Sequence, residues 1–167
     1  DPSMSHDTLA EIKNEITMQS ILRHPNIILL MAYCPALQNI VIVYELVENS
    51  LFTVLHRKRQ IIDISLSVRV KIALELSRVY LYMHNLGVVH GDISSQNVLI
   101  DDKFNVKVCN FGRARFFAST ERQCNEKVDI FAFGTLLWEI IERKVPFQGL
   151  APGEVRTLAE SGEQIRV

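Results

Sequence analysis

The stretch Val88-Val89-His90-Gly91-Asp92-Ile93-Ser94-Ser95-Gln96-Asn97-Val98-Leu99-Ile100 holds the residues best suited to chemistry. It is apolar at both ends and polar in the middle, and Asp92 stands five positions before Asn97. A carboxylate in such a loop can orient a hydroxyl, and an amide oxygen can reach a cation. A second amide, Asn110, opens Asn110-Phe111-Gly112 a little further on. A structural use competes with the chemical one. Asp92 and His90 can brace the loop against the apolar helix that contains Asp129, with Asp129 accepting backbone N–H groups. Asp129 would be costly to bury there without partners.

The elements that must position these groups follow from periodicity. Asp7 to Leu22 reads as a helix, capped by Asp7, with Leu9, Ile12 and Ile16 on one stripe and Glu15 beside it. It must stop before His24-Pro25-Asn26, because a residue before Pro avoids the helical region. Ile27 to Tyr33 reads as a buried strand, Pro35 to Asn39 as a turn and Ile40 to Leu46 as a second strand. Glu48-Asn49-Ser50 can cap a short helix through Leu55. Asp63 to Leu86 carries Val68, Ile72, Leu76, Val79, Met83 and Leu86 on one helical face, and Gly87 suits its end. Val98 to Ile100 and Val106 to Cys109 read as short strands joined by a turn over Asp101 to Asn105. Val128 to Ile141 is apolar on nearly every side, as in a helix buried mid-domain. A last helix is expected from about Pro152 to Ser161.

The 167 residues are 48% hydrophobic and 22% charged, with a net charge of -1, which suits one compact domain. The near-neutral balance gives no electrostatic case for nucleic acid or an acidic membrane surface, and His56-Arg57-Lys58-Arg59 reads as a solvated helix end. Cys34, Cys109 and Cys124 form no metal-binding cluster and suit a reducing compartment. No apolar run approaches the roughly 18 residues that span a bilayer, and no signal peptide is visible, so a cytoplasmic location is expected. The chain opens on Asp1 rather than Met, as a fragment would.

The Val88–Ile100 stretch resembles the catalytic loop of eukaryotic protein kinases, His-Arg-Asp-Leu-x-x-x-x-Asn. Other segments extend the resemblance in the same order. Glu15 with Leu22-Arg23-His24-Pro25-Asn26-Ile27 looks like the small-lobe helix and its exit. Ile42-Val43-Tyr44-Glu45 looks like the strand entering the hinge, and Asn110-Phe111-Gly112 stands in place of Asp-Phe-Gly. Asp129 to Glu139 looks like the central helix of the large lobe, followed by Pro146-Phe147-Gln148-Gly149-Leu150. Asn26 to Tyr33, Leu51 to His56 and Trp138-Glu139 are similar to the tyrosine-kinase-like group, especially Raf and mixed-lineage kinases.

The resemblance implies an α+β protein-kinase-like fold, partial, with a small-lobe remnant over 1–48 and a large-lobe remnant over 49–167. It implies ATP and magnesium as cofactors and a protein as substrate or partner. It makes Asp92 the base, with His90 and Asn97 beside it and Asn97 and Asn110 at the metal positions. It puts Glu15, Tyr44 (the gatekeeper), Glu45 (the hinge) and Leu99 around the nucleotide.

Departures from the family pattern imply impaired catalysis. Gly91 replaces the Arg that pairs with a phosphorylated activation loop, and Ser94 the usual Lys. Asn110 replaces the metal-holding Asp and loses its negative charge. The chain carries no glycine-rich loop or phosphate-gripping Lys ahead of Glu15, and no Ala-Pro-Glu motif in the 17 residues between Asn110 and Val128. Gln19 falls in an apolar column with Leu30, Phe111 and His90, where it must find a partner or turn outward; Met18 can partly substitute. A pseudokinase acting by protein binding is therefore expected. The alternatives are a piece of an active kinase, and a product without independent function whose strand pair leaves an apolar face exposed.

Overall fold

In the computed structural model, residues 6–34, 40–56, 64–117, 122–151, 153–155 and 157 are described. The first element, α1 (His6–Ile21), starts one residue earlier than expected, which puts Asp7 inside the first turn rather than at the cap. There its carboxylate faces the positive end of the helix dipole. The chain leaves α1 through His24-Pro25-Asn26 and forms β1 (Leu30–Cys34), which pairs antiparallel with β2 (Val41–Tyr44). The turn expected over 35–39 lies outside the described residues.

The expectation of a buried strand over Ile27 to Tyr33 is corrected on two counts. Ile27 and Ile28 are buried but lie ahead of β1, with Ile27 bridged to Val108. The strand itself shows most of its side chains to solvent, because β1 and β2 form a two-stranded sheet. Met31, Tyr33, Val41, Val43 and Leu46 are exposed, the last at 90%. A continuous apolar run suggests burial on both faces, but side chains on both faces of this strand pair stay open to solvent.

The larger part of the chain is built around α3 (Leu66–Asn85). Ser65 caps it by accepting from the Val68 N–H, so the helix begins after the expected Asp63, which is outside the described residues. Four of its six expected stripe residues, Ile72, Leu76, Val79 and Met83, are fully buried, whereas Val68 is half-buried and Leu86, at the C-cap, is exposed. The chain reverses at Gly87, whose φ of 72° only glycine adopts without cost. Before it come β3 (Asn49–Ser50) and α2 (Leu51–His56), with the Ser50 hydroxyl accepting from the Thr53 N–H. After it come β4 (Val88–Val89), a 3-10 turn at Ser95–Asn97, β5 (Val98–Ile100), β6 (Val106–Val108) and β7 (Arg115–Phe116). The strands form a sheet in the order β3-β5-β6 and a separate β4-β7 pair. The turn between β5 and β6 is locked by Asp101, whose carboxylate accepts from the N–H groups of Lys103 and Asn105.

The last long helix, α4 (Arg122–Glu142), starts earlier than expected and is not buried all round. Leu136 and Ile140 enter the core, whereas Val128, Ile130, Phe131 and Ile141 are exposed. The expected tail helix lies mostly outside the described residues, with 153–155 and 157 helical.

A buried amide breaks the core. Gln19 is 1% exposed, and among the described residues neither its Oε1 nor its Nε2 finds a hydrogen-bond partner. Of the two outcomes open to it, satisfaction or turning outward, it takes neither. An unpaired buried amide costs about 1–3 kcal/mol. The near-isosteric Gln19→Met should therefore raise the unfolding free energy by about 1–3 kcal/mol, read as a higher urea midpoint with an unchanged slope. A lowered midpoint would show that the amide is held.

Candidate active site

Two carboxylates on α4 hold the Val88–Ile100 loop. Asp129 is 1% exposed. Its Oδ2 accepts from the His90 N–H at 2.8 Å and its Oδ1 from the Gly91 N–H at 3.0 Å, and His84 Nε2 lies 2.9 Å from Oδ2. Burial would raise its pKa, but the His84 contact and the two backbone donors overcome it and hold the group below the usual carboxylate range. Glu139 anchors the other end of the loop. Its Oε1 accepts from the Ser95 hydroxyl at 2.7 Å and stands 2.8 Å from His56 Nε2. His56 is therefore part of this brace and not a solvated helix end; 57–59 lie outside the described residues.

His90 points inward. Its Nε2 donates to the Cys109 carbonyl at 3.1 Å, and its Nδ1 accepts from the Asp92 N–H at 3.2 Å. That pattern needs a neutral ring, and burial lowers its pKa against the pull of Asp129. Phe111 packs 5.1 Å from the ring. Gly91 sits at φ 75°, and a Cβ built on it would lie 3.0 Å from the Arg113 carbonyl oxygen. The Arg115 guanidinium stands 3.7 Å from that same point, beside the position where kinases carry Arg.

Asp92, Asn97 and Asn110 meet in one cluster. Asn97 Nδ2 donates to the Asp92 carbonyl at 2.7 Å and to Asp92 Oδ2 at 3.0 Å. Asn110 Nδ2 donates to Asn97 Oδ1 at 3.0 Å and to Asp92 Oδ2 at 3.3 Å. Around the corner, Glu15, Tyr44, Glu45, Leu99 and Asn110 line one cavity of about 320 Å³. Here Glu15 is not an idle helix carboxylate: it accepts the Tyr44 hydroxyl proton at 2.9 Å. Tyr44 is hard to ionise, through burial and this carboxylate. Burial alone would raise Glu45, but Lys107, 2.8 Å away, and the Leu29 N–H bring it below the usual range. Cys109, on the same wall, is pushed up to about 12 by burial and by Glu15, so it is a packing residue rather than a nucleophile.

Contributors that the sequence does not single out include His84 and Lys107, already described, and Asn14, Ser95 and Glu139. Asn14 on α1 donates to the carbonyls of Phe111, Gly112 and Ala114 at 3.2, 2.9 and 2.7 Å, tying the helix to the Asn110-Phe111-Gly112 turn. Ser95 and Glu139 form the second brace. Glu139 was legible in principle, as a charged residue in an apolar helix like Asp129. Asn14 sits on an ordinary polar helix face and carries no such signal.

The sequence model described as the protein kinase domain matches residues 2–126. This chain belongs to the protein kinase domain family. It is 36% identical to a probable serine/threonine-protein kinase of Dictyostelium discoideum over 88% of this chain and 18% of that protein. It is 33% identical to serine/threonine-protein kinase CTR1 of Arabidopsis thaliana, over 87% of this chain and 20% of the relative. To serine/threonine/tyrosine-protein kinase HT1 of the same plant it is 29% identical over 98% of this chain and 48% of the relative. The chain thus spans less than half the length of each of these relatives. With the helices and short sheets described above, the domain has the α+β kinase-like fold. Among the described residues no helix is long and apolar enough to cross a membrane.

The family binds ATP with magnesium. The residues here do not fit the metal. At the cluster, one carboxylate is joined by two amides, and Asn110 presents a donor where a cation needs an oxygen. Among the described residues there is no group of three or more His, Cys, Asp and Glu suited to a metal. Among the described residues, those lining the cavity include Glu15 and Glu45 and no lysine or arginine.

Acid should undo this architecture in a defined direction. His90 is held neutral, so its contribution is full above the ordinary histidine pKa of about 6.5 and declines as pH falls toward its folded value. Asp129 is held ionised, so its contribution is full above about 3.9 and is lost as pH falls through its folded value. Urea midpoints should drop on acidification below about pH 6.5. Asp129→Ala should cost about 3–5 kcal/mol at neutral pH, and flat midpoints from neutral to pH about 4.5 would contradict the His90 assignment.

Proposed function

We propose that this domain is a catalytically impaired, pseudokinase-like member of the tyrosine-kinase-like group that works in signalling by binding another protein. The observation that carries the reading is Asn110, which in the place of the metal-holding Asp donates hydrogen bonds to Asp92 and Asn97. Phosphoryl transfer depends on positioning and charge neutralisation, and the cluster as built supplies little of either to a triphosphate. Gly91 supports the same reading, since its φ of 75° and the nearby Arg113 carbonyl disfavour the Arg found in kinases. The similarity to the Raf and mixed-lineage kinases rests on Asn26 to Tyr33, Leu51 to His56 and Trp138-Glu139. A protein-binding role draws support from the exposed apolar face of β1 and β2 and from a cavity of about 350 Å³ lined by Ile130, Phe131, Trp138 and Phe147.

A second reading is that the chain is part of an active serine/threonine or tyrosine kinase. It is favoured by the retention of Asp92 and Asn97, which stand 3.0 Å apart, and by the kinase activity in the names of the relatives. Incubation of the chain with magnesium, labelled ATP and a generic protein substrate separates the two. The proposal expects transfer no greater than that of the Asp92→Ala variant. Robust transfer that disappears in Asp92→Ala would sink it.

A further inference from the structure

Two cavities beside α4 are parts of one groove. The first, of about 440 Å³, has Asp92 and Glu139 on its wall, and the second, of about 350 Å³, has Ile130, Gly134 and Trp138. They share Phe131, Thr135, Pro146 and Phe147, so one runs into the other. Gly134 stands in the interior of α4, where glycine is a poor helix former. A Cβ built on it would meet nothing within 4 Å, so among the described residues no packing contact calls for glycine there. Ile130 and Trp138 stand one turn away on either side, which makes the position a notch between two large apolar side chains. Phe147, on the facing wall, holds φ 56°, a left-handed conformation rare for a bulky residue. Strain of that kind clusters where a fold clamps a ligand or partner. At the other end, Glu139 is taken up by Ser95 and His56. Asp92 gives Oδ2 to the Asn97 and Asn110 amides, and among the described residues its Oδ1 accepts from no side chain.

We propose that this groove docks a helix of a partner protein, apolar on the face that crosses Gly134 and carrying lysine or arginine at the end that meets Asp92. A notch one residue wide between two large side chains takes a ridge of a crossing helix. Phe131, Thr135 and Phe147 then line the space for side chains at its i, i+3, i+4 and i+7 positions. The spare oxygen of Asp92 supplies the charge that selects a cation over an anion. This use of Asp92 differs from the base position that the family gives it: the carboxylate accepts from a cation and takes no proton. The inference rests on the protein-binding reading above and names the chemistry of the partner.

The test uses the whole chain, with Trp138, its single tryptophan, as reporter. The probe is a synthetic peptide of about 18 residues, long enough to be helical, with leucines on one face and lysines on the other. One control replaces lysine by glutamate, and a second puts a proline mid-peptide, which breaks the helix. The leucine-lysine peptide should shift Trp138 emission to the blue in a saturable way. Both controls should bind roughly tenfold more weakly or worse. Gly134→Leu, which fills the notch, should weaken binding by a similar factor, and Asp92→Asn should bring the lysine and glutamate peptides closer together. If Gly134→Leu fails to fold, the three peptides and Asp92→Asn decide. No shift with any peptide, equal binding of either control, a charge preference that survives Asp92→Asn, or unchanged binding to Gly134→Leu each overturns the proposal. So does a free chain whose Trp138 already emits as a buried indole, or one that is dimeric by light scattering and monomeric as Gly134→Leu, since the chain itself or a second copy would then cover the groove. None of these readouts involves phosphoryl transfer, so this inference and the functional reading fail separately.

Discussion

The buried carboxylate of Asp129 sets the terms for everything around it. It lies on a largely apolar helix, where an unpaired charge would be prohibitive, and it is reconciled with burial by two backbone N–H groups and the ring of His84. Those donors belong to the end of α3 and to the start of the loop, so the carboxylate can be satisfied only if α3, β4 and α4 stand in their observed relation. Glu139 repeats the device further along the same helix, on Ser95 and His56. The polar loop is thus suspended between two anchors. Its shape is set from below by these anchors.

From that frame the cluster of Asp92, Asn97 and Asn110 follows. His90 faces down, accepts from the Asp92 N–H and donates to the Cys109 carbonyl, which joins the loop to the residue before Asn110. Asn14 then ties α1 to the carbonyls just beyond. The Tyr44 hydroxyl holds Glu15 from the other side. Among the described residues, Glu15, Tyr44, Glu45, Asp92, Asn97 and Asn110 are each engaged with a neighbour in the same chain. In the proposed reading, a cluster closed on itself in this way leaves fewer open charges for phosphoryl transfer to use.

Much of this was legible in the residues. The Asp92–Asn97 spacing, the position of Asn110 and the stripe of α3 placed the loop and its family. The expectation that Asp129 accepts backbone N–H groups is physical, since a carboxylate in an apolar helix must find donors; the His84 ring, a further donor, carries no such signal. Long-range side-chain pairs were less legible. Nothing in sequence pairs Tyr44 with Glu15 or Asn14 with Gly112, because those contacts arise only once the strands and helices pack. The exposed face of β1 shows the other limit. An apolar run announces a strand, but whether the second face is covered depends on what packs there. Gln19 falls between: its awkwardness was readable, its failure to find a partner was not.

The central claim is that the His90–Asn97 loop stands on internal hydrogen bonds and needs no metal or nucleotide to hold its shape. Amide hydrogen exchange of the loop, measured in EDTA and again with magnesium and ATP, tests this most directly. The account predicts that the His90 and Gly91 amides, both bound to Asp129, are as protected as the core of α3 in EDTA and unchanged on addition of magnesium and ATP. Amides that exchange freely in EDTA and become protected only with magnesium and ATP would contradict it.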